Sequence, residues 1–393
     1  MNGSRGKAVR PPSNRGAPTR RFAEFFAGIG LVRMGLEAEG WTLAYANDID
    51  ESKRQMYEAH FGAGAGHLHM GDIHRIDAST IPDVDLATAS FPCTDLSIAG
   101  GRKGLGGAQS SAFWGFVSVL EGMGRRRPKA IMLENVVGFL NSHGGADFVE
   151  AMRALNGLGY AVDPFIMDAR WFVPQSRPRL LVVGTLGAAG NDEPRIEPTR
   201  VRPAAIGRMI ALHPEIRWRL HDLPEPPAAS VRDLGDIVER LDDRAPEWWS
   251  AERTDYLYRQ FSERHRTLAD GMIAKRRWSY ATVFRRVRLQ PDGVKRSMGE
   301  LRTDGVAGCL RTPKGGSGRQ ILVKAGYGRF AVRLLTPTEC ARLMGADGFR
   351  ITVPDNQAYF GFGDAVCVPV ISWVARHVLH RACASEPALS GYA

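Results

Sequence analysis

The residues best suited to chemistry are a cysteine, a carboxylate and two arginines, each beside an apolar run. Cys93 follows Phe91-Pro92 at the end of Val84–Ala89, a run that reads as a buried strand. The proline stops the strand and fixes the backbone, so the thiol stands at a strand's C-terminal end, where open α/β sheets bind ligands. A free cysteine taken alone is more often a small buried hydrophobe; here a glycine-rich loop follows it, with Gly100, Gly101, Gly104, Gly106 and Gly107. Glu134 ends the next apolar run, Ala130–Leu133, one α/β unit later, and so faces the same crevice, unless it merely caps a helix. Arg177 and Arg179 introduce Leu180–Gly184; two residues apart on a strand, they point the same way. Arginines in a buried strand are rare unless they hold an anion or a polar ligand.

A nucleotide-type unit comes first in the chain. Arg21–Phe26 predicts a strand, Ala27-Gly28-Ile29-Gly30 a turn and Leu31–Gly40 a helix. Arg33 stands where the third glycine of a dinucleotide fingerprint belongs, which weakens a nicotinamide reading. A second strand, Thr42–Ala46, leads to Asn47-Asp48-Ile49-Asp50, and Asp48 is placed either to bind two ribose hydroxyls or to cap a helix. At a third strand end, Asp72-Ile73 offers an acid for an adenine amino group and an aliphatic for its ring. Together these signals indicate an adenosine-bearing cofactor.

The other elements position these residues. The pattern predicts helices over 112–124 and Asn141–Leu158, a strand over Ala161–Phe165, mainly helix over 233–277 and basic β-structure from Trp278. Thr336-Pro337-Thr338-Glu339 predicts a capped helix start, and Phe360–Val366 the opening of a terminal helix to about Leu379. The boundaries expected are a disordered basic tail over 1–20, a catalytic region over 21–187, a recognition region and hinge over 188–345, and a C-terminal return over 346–393.

Charge separates partners. The net charge is +10, yet residues 264–333 alone carry +13 and residues 1–21 carry +6, leaving −9 elsewhere. A concentrated basic stretch in an otherwise acidic chain indicates a polyanion, with nucleic acid first; a solvated face would mix both signs. Five widely spaced cysteines argue against a disulfide framework, and no Cys/His spacing suggests zinc. No apolar run approaches the ~18 residues of a membrane span, and the N-terminus has no signal core, so neither membrane nor secretion is expected.

The ordered set Phe-Ala-Gly-Ile-Gly (26–30), Phe-Pro-Cys (91–93), Glu-Asn-Val (134–136), Gln-x-Arg-x-Arg (175–179), Arg-x-Leu-Thr-Pro-x-Glu (333–339) and Gly-Asp-Ala-Val (363–366) resembles the DNA cytosine-5 methyltransferases. The resemblance spans about Phe22 to Leu379. It implies an α/β, Rossmann-like S-adenosylmethionine-dependent methyltransferase domain with a smaller, mixed target-recognition domain. It implies that Cys93 adds to carbon 6 of a flipped-out cytosine, that Glu134 holds N3 and the amino group, that Arg179 contacts the 2-oxo group and that Arg177 supports the site. For S-adenosylmethionine, with S-adenosylhomocysteine as product and no metal, it implies Phe26, Ala27, Gly28, Ile29, Gly30, Asp48, Ile49, Asp72, Ile73, Pro92, Asp364 and Ala365. Ser97, Arg102, Lys103, Arg285, Arg286, Arg311 and Lys314 become candidate contacts to double-stranded DNA.

The chain departs from the family pattern at Leu31, Asp48, Cys309 and Asp364, where glycine, glutamate, threonine and asparagine are usual. The resemblance further implies a bacterial cytoplasmic monomer acting on DNA, solitary or beside a restriction endonuclease. Three alternatives stand beside this reading: a tRNA cytosine-5 methyltransferase of the same fold, an inactive DNA-binding relative, and a nicotinamide oxidoreductase.

Overall fold

The structure, a computed structural model, describes residues 20–63, 66–92, 112–191, 196–289, 293–313 and 318–384. Cys93, Ser97, Arg102, Lys103 and Lys314 lie outside the described residues, as does nearly all of the expected N-terminal tail.

Strand β1 (Arg21–Phe25), helix α1 (Leu31–Glu37), β2 (Thr42–Asp48), α2 (Glu51–Phe61) and β3 (Leu68–Met70) form one half of a doubly wound sheet. The other half comprises β4 (Leu86–Ala89), α3 (Ala112–Met123), β5 (Ala130–Val136), α4 (Ala146–Gly157), β6 (Tyr160–Asp168) and β7 (Pro178–Leu186). The strand order is β3-β2-β1-β4-β5-β7-β6. Every pairing among β1 to β5 is parallel, and β7 runs antiparallel to both β5 and β6.

This topology has two consequences. The order reverses between β1 and β4, so a crevice opens beyond their carboxyl ends. Because β7 is reversed, its first residues lie at that same edge. The strands are mainly apolar because both faces are covered, with polar residues such as Asn47, Asp48, Glu134 and Asn135 gathered towards the carboxyl ends of β2 and β5. α1 and the C-terminal helices cover one face through Leu36, Ile371 and Val374, and α3 and α4 the other through Phe116, Leu120, Phe148 and Met152.

After α5 (Ala204–Leu212), α6 (Leu234–Ile237), α7 (Ala251–Arg259) and α8 (Glu263–Ile273) comes a second, antiparallel sheet. Its strands β8 (Ser279–Leu289), β9 (Lys295–Arg302), β10 (Ile321–Gly326) and β11 (Arg329–Leu334) are ordered β11-β10-β8-β9. Leu257, Phe261 and Met272 pack on Val283, Val323 and Val332 to give it its own core. Helices α9 (Pro337–Leu343), α10 (Asp355–Asp364) and α11 (Val368–Val374) then return to the first sheet. A Cβ on Gly35 of α1 would come within 2.6 Å of Ile371, which is how closely α11 is seated.

The predicted cap of α9 is present: the Thr336 hydroxyl accepts from Glu339 N, and the Glu339 carboxylate accepts from Thr336 N. The same carboxylate pairs with Arg333, and both side chains are fully buried.

Three expectations are corrected. The helix expected from Asn141 begins at Ala146, after tight turns over Val137–Gly145. The terminal helix does not open at Phe360; Phe360–Asp364 closes α10, and α11 restarts at Val368 with Pro369 in its first turn, where a missing N–H does no harm. Finally, Asp355–Ala382 is 28 residues long and apolar enough to cross a membrane by composition, but 67% of its most apolar window is buried inside the protein. Its apolar stretch, Ala365–Ala375, is shorter than a membrane span and packs through α11 on α1.

Candidate active site

The turn after β1 is held in an uncommon backbone shape. Phe26 has φ 56°, a genuine outlier for a bulky residue, and Gly28 and Gly30 also have positive φ. At Gly30 a Cβ would stand 2.4 Å from Phe61, so only glycine fits. Asp48 turns inward and secures this turn, accepting from Gly28 N at 2.7 Å and from Asp50 N at 2.8 Å. Arg33, in the third-glycine position, lies over the Phe61 ring and bonds Tyr57, His67 and Glu37.

A cavity of about 580 Å³ opens beyond β2 and β3, lined by Tyr45, Asn47, Ile49, Asp72 and Ile76 among others. Ile49 is 70% exposed on its wall. Ile73 is not on that wall; its side chain is buried against Gly115 of α3. One oxygen of Asp72 accepts from His74 N. An exposed aliphatic, Ile49, and a carboxylate, Asp72, on the wall of one cavity fit the adenine of an adenosine-bearing group. Lys53, which the sequence reading passed over, brings its ammonium 2.9 Å from Asp364. Burial works against the Lys53 charge, but Asp364, Asp48 and Asp50 more than offset it and raise its pKa.

On the other side of the crevice, β5 and β7 bring Glu134 and Arg179 together. Arg179 is paired with Val136 and Glu134 with Leu181, so the two lie diagonally on one face of an antiparallel ladder. Arg179 Nε is 3.0 Å from Glu134 Oε1. The adjacent Asn135 donates to Phe91 O at 3.1 Å, which ties the end of β5 to the residue before Pro92. Pro92 is exposed.

Arg177 and Arg179 do converge as expected, both reaching Cys309 Sγ, at 3.3 Å and 3.9 Å. Their other partners differ. The Arg177 guanidinium, 2% exposed, donates to Leu310 O, Gly363 O and Ala365 O. It joins the start of β7 to the segment between β9 and β10 and to the C-terminal helices in one contact. Gln175, fully buried, does the same, accepting from Leu310 N and donating to Leu343 O. Gly363 lets this seam close: a Cβ there would meet Thr312 N at 2.5 Å. Burial pushes the Cys309 thiol up, but Arg177 and Arg179 more than offset this and hold it below the usual thiol range.

A second cavity, about 540 Å³, lies between β7 and the small sheet, lined by Pro178, Thr282, Phe284, Arg286, Glu300, Cys309, Arg311 and Gln320 among others. Phe284 is flanked by Arg286 and Arg311, each 5.4 Å from its ring centre. Arg285 points the other way. Strand alternation puts it opposite Gly299, on the face covered by Phe261, so Arg285 and Arg286 do not share a surface. Among the described residues no cluster of three His, Cys, Asp or Glu could hold a metal.

A doubly wound sheet with a reversed seventh strand, a glycine turn after β1 and polar groups at the β4–β5–β7 edge define a Rossmann-like methyltransferase architecture. The family model for C-5 cytosine-specific DNA methylase matches residues 20–380. The chain belongs to that family and is an enzyme of that class. It is 28% identical to the DNA-cytosine methyltransferase of Escherichia coli K12, covering 93% of this chain and 79% of that protein. It is 27% identical to the type II methyltransferase M.HhaI of Haemophilus parahaemolyticus, covering 91% and 94%. The crystal structure of the S. pombe Dnmt2 methyltransferase shares the fold, with TM-score 0.60, 18% identity, and coverage of 92% and 98%.

Proposed function

We propose that the chain transfers a methyl group from S-adenosylmethionine to carbon 5 of a cytosine flipped out of duplex DNA. The observation that carries this is the Glu134–Arg179 pair, 3.0 Å apart at the crevice edge to which Phe91-Pro92 leads, with Cys93 the next residue in sequence. The exposed edge of cytosine presents an amino group, N3 and a 2-oxo group in a row. A carboxyl group and a guanidinium side by side match that row: Glu134 holds the amino group and N3, and Arg179 donates to the oxygen.

The Cys93 thiolate adds to carbon 6, and the ring electrons move towards carbon 5 and N3. Glu134 and Arg179 offset the charge as it develops, in a site where fixed donors are worth more than in water. S-Adenosylmethionine, when bound, supplies an electrophilic sulfonium methyl group. Once carbon 5 carries the methyl, its proton leaves to a base, the C6–S bond breaks, and the Cys93 thiolate departs. Phe26–Gly30 and Pro92 would line the methionine end, Asp48 the ribose hydroxyls, and Ile49 and Asp72 the adenine, with Asp364 and Ala365 closing the C-terminal side, while Ile73 supports this wall from inside the core.

For the DNA, the cavity face of β8 and the loop after β9 carry the reading, with Arg286 and Arg311 foremost and Ser97, Arg102, Lys103 and Lys314 as further phosphate or base contacts; Arg285, on the other face of β8, is not one of them. In domain terms, 21–187 is catalytic, 188–345 recognises the target and 346–393 returns to the catalytic part. The type II relatives motivate a role in modification, alone or beside a restriction endonuclease, by a monomer in a bacterial cytoplasm.

Bisulfite sequencing of DNA and of tRNA from cells expressing the chain tests the substrate. Site-specific 5-methylcytosine in DNA, absent with Cys93→Ser, is the expected result. Methylation confined to tRNA would overturn the DNA assignment.

A further inference from the structure

The positive charge of residues 264–333 is only partly accounted for by the cavity beside Cys309. Arg286 and Arg311 line that cavity. Lys275, Arg276 and Arg277 do not; they are exposed in the bend between α8 and β8, and among the described residues none of them has an ionic partner. They lead directly into Trp278. Trp278, Trp248, Tyr280 and Lys324 help to line a further cavity of about 360 Å³. Helix α6 runs between the two cavities: Leu234 N donates to Gly305 O near the first, and Val238 lines the second.

Cross-strand pairing sets Lys324 opposite Tyr280, and the Lys324 ammonium is 4.5 Å from the Trp278 ring centre and 5.7 Å from that of Trp248. Tyr327 meets Trp278 edge-on and is 58% exposed, on a turn where its φ of 52° would suit glycine better. Packing accounts for Lys324, which pairs with Asp243 at 2.9 Å. It gives no role to the open volume or to the three unpaired cations. A cationic ligand is disfavoured, because Lys324 already sets a cation against both indoles. A duplex fits poorly, because its stacked bases cover one another's faces. An unpaired base offers free ring faces to the aromatics, an acceptor edge to Lys324 and flanking phosphates to the cations.

We propose that this corner of the small sheet is a second nucleic-acid site, one that takes a single strand. An unpaired base stacks against Trp278 and Trp248, Lys324 donates to its edge, and Arg276 and Arg277 hold the neighbouring phosphates. Over 239–248, 275–278 and 324–329 the chain carries seven Lys/Arg against four Asp/Glu. Two of those acids, Asp243 and Glu239, are already tied to Lys324 and Thr336, so the field at the cavity favours a polyanion. The site lies across α6 from the cleft assigned to duplex DNA and does not depend on the methyl-transfer reading.

Fluorescence anisotropy of the full chain with labelled dodecamers of thymidylate and of uridylate tests the site. Binding of at least one is expected, and the tighter strand identifies DNA or RNA as the source. An excess of unlabelled duplex should weaken that binding less than threefold. Arg276→Ser combined with Arg277→Ser, both on the surface, should weaken it at least fivefold and flatten its log–log salt slope by about 1. Trp278→Ala should weaken it about tenfold, whereas Trp278→Phe, which keeps a ring, stays within threefold. If Trp278→Ala does not fold, an abasic dodecamer on the unaltered chain replaces it, with the same tenfold loss expected. No binding of either strand, full displacement by duplex, or unchanged affinity in the double arginine variant overturns the site. So does polyglutamate binding as tight as the single strand, which would show that charge alone is read.

Discussion

Glu134 and Arg179 are 45 positions apart in sequence and 3.0 Å apart in space, because β7 enters the sheet against the direction of its neighbours. A parallel strand would have put Arg179 at the opposite edge. The pair is therefore a product of topology, and each member holds the other ready for a polar edge. Glu134→Gln keeps the shape and removes the acid. Its expected effect is a loss in methyl transfer of about 10²–10³-fold with duplex binding unchanged. Radiolabelled methyl transfer and gel-shift measurements on the same preparations check this. Activity within threefold of the unaltered enzyme would remove Glu134 from the chemistry.

The Arg333–Glu339 pair locks the junction between β11 and α9. Both side chains are inaccessible, and Glu339 also accepts from Glu239 N and Thr336 N. Removing one partner leaves a buried charge and orphaned amides. Glu339→Ala is expected to destabilise the chain by about 3–5 kcal/mol. Urea unfolding followed by circular dichroism gives the number, and a loss under about 1 kcal/mol would mean the pair is dispensable.

Glu24 provides a pH signature. It is buried on β1 beside Thr88 of β4, and burial raises its pKa to about 8. The folded chain therefore holds a proton on Glu24 that the unfolded chain releases near pH 4.5. The contribution to stability is full below that pH and is lost as pH rises towards 8, by no more than about 5 kcal/mol in all. Glu24→Gln carries no titrating group. Denaturation midpoints from pH 5 to pH 9 should fall more steeply for the unaltered chain than for Glu24→Gln. Parallel profiles would show that Glu24 does not hold the proton.

Much of this arrangement is legible in the sequence where the signal is local. The strand, glycine turn and helix at 21–37, the capped start at Thr336-Pro337, and the order of Phe91-Pro92, Glu134 and Arg179 at strand ends all follow from short-range rules. What is not legible is partnership over distance. Nothing near Arg177 says that its guanidinium will join carbonyls at 310, 363 and 365, and nothing near Asp163 announces its clamp on Arg202 and His221. Two further features carry an unused signal. Period-two alternation separates Arg285 from Arg286, and Pro369 marks the restart at α11. Lys53 shows nothing by type or spacing, since a lysine in a helical first turn ordinarily faces water.

Cys309 tests whether the arginine pair acts as an electrostatic unit. It is the half-buried thiol among the four described cysteines; Cys340, Cys367 and Cys383 are buried, and burial pushes Cys367 and Cys383 up to about 12. Arg177 and Arg179 instead hold Cys309 below the usual thiol range, although burial alone would raise it. A lower pKa means more thiolate at neutral pH, and thiolate is the reactive form. In a Cys93→Ser background, iodoacetamide followed by peptide mass spectrometry should label Cys309 first among these four at pH 7. Raising the pH from 7 to 9 should speed its labelling less than it speeds that of a thiol at its ordinary pKa. Arg179→Met removes one of the two nearby cations, so the Cys309 pKa should rise and the pH 7 rate should fall severalfold. A labelling rate that is the same with and without Arg179 would show that the thiol does not sense that charge.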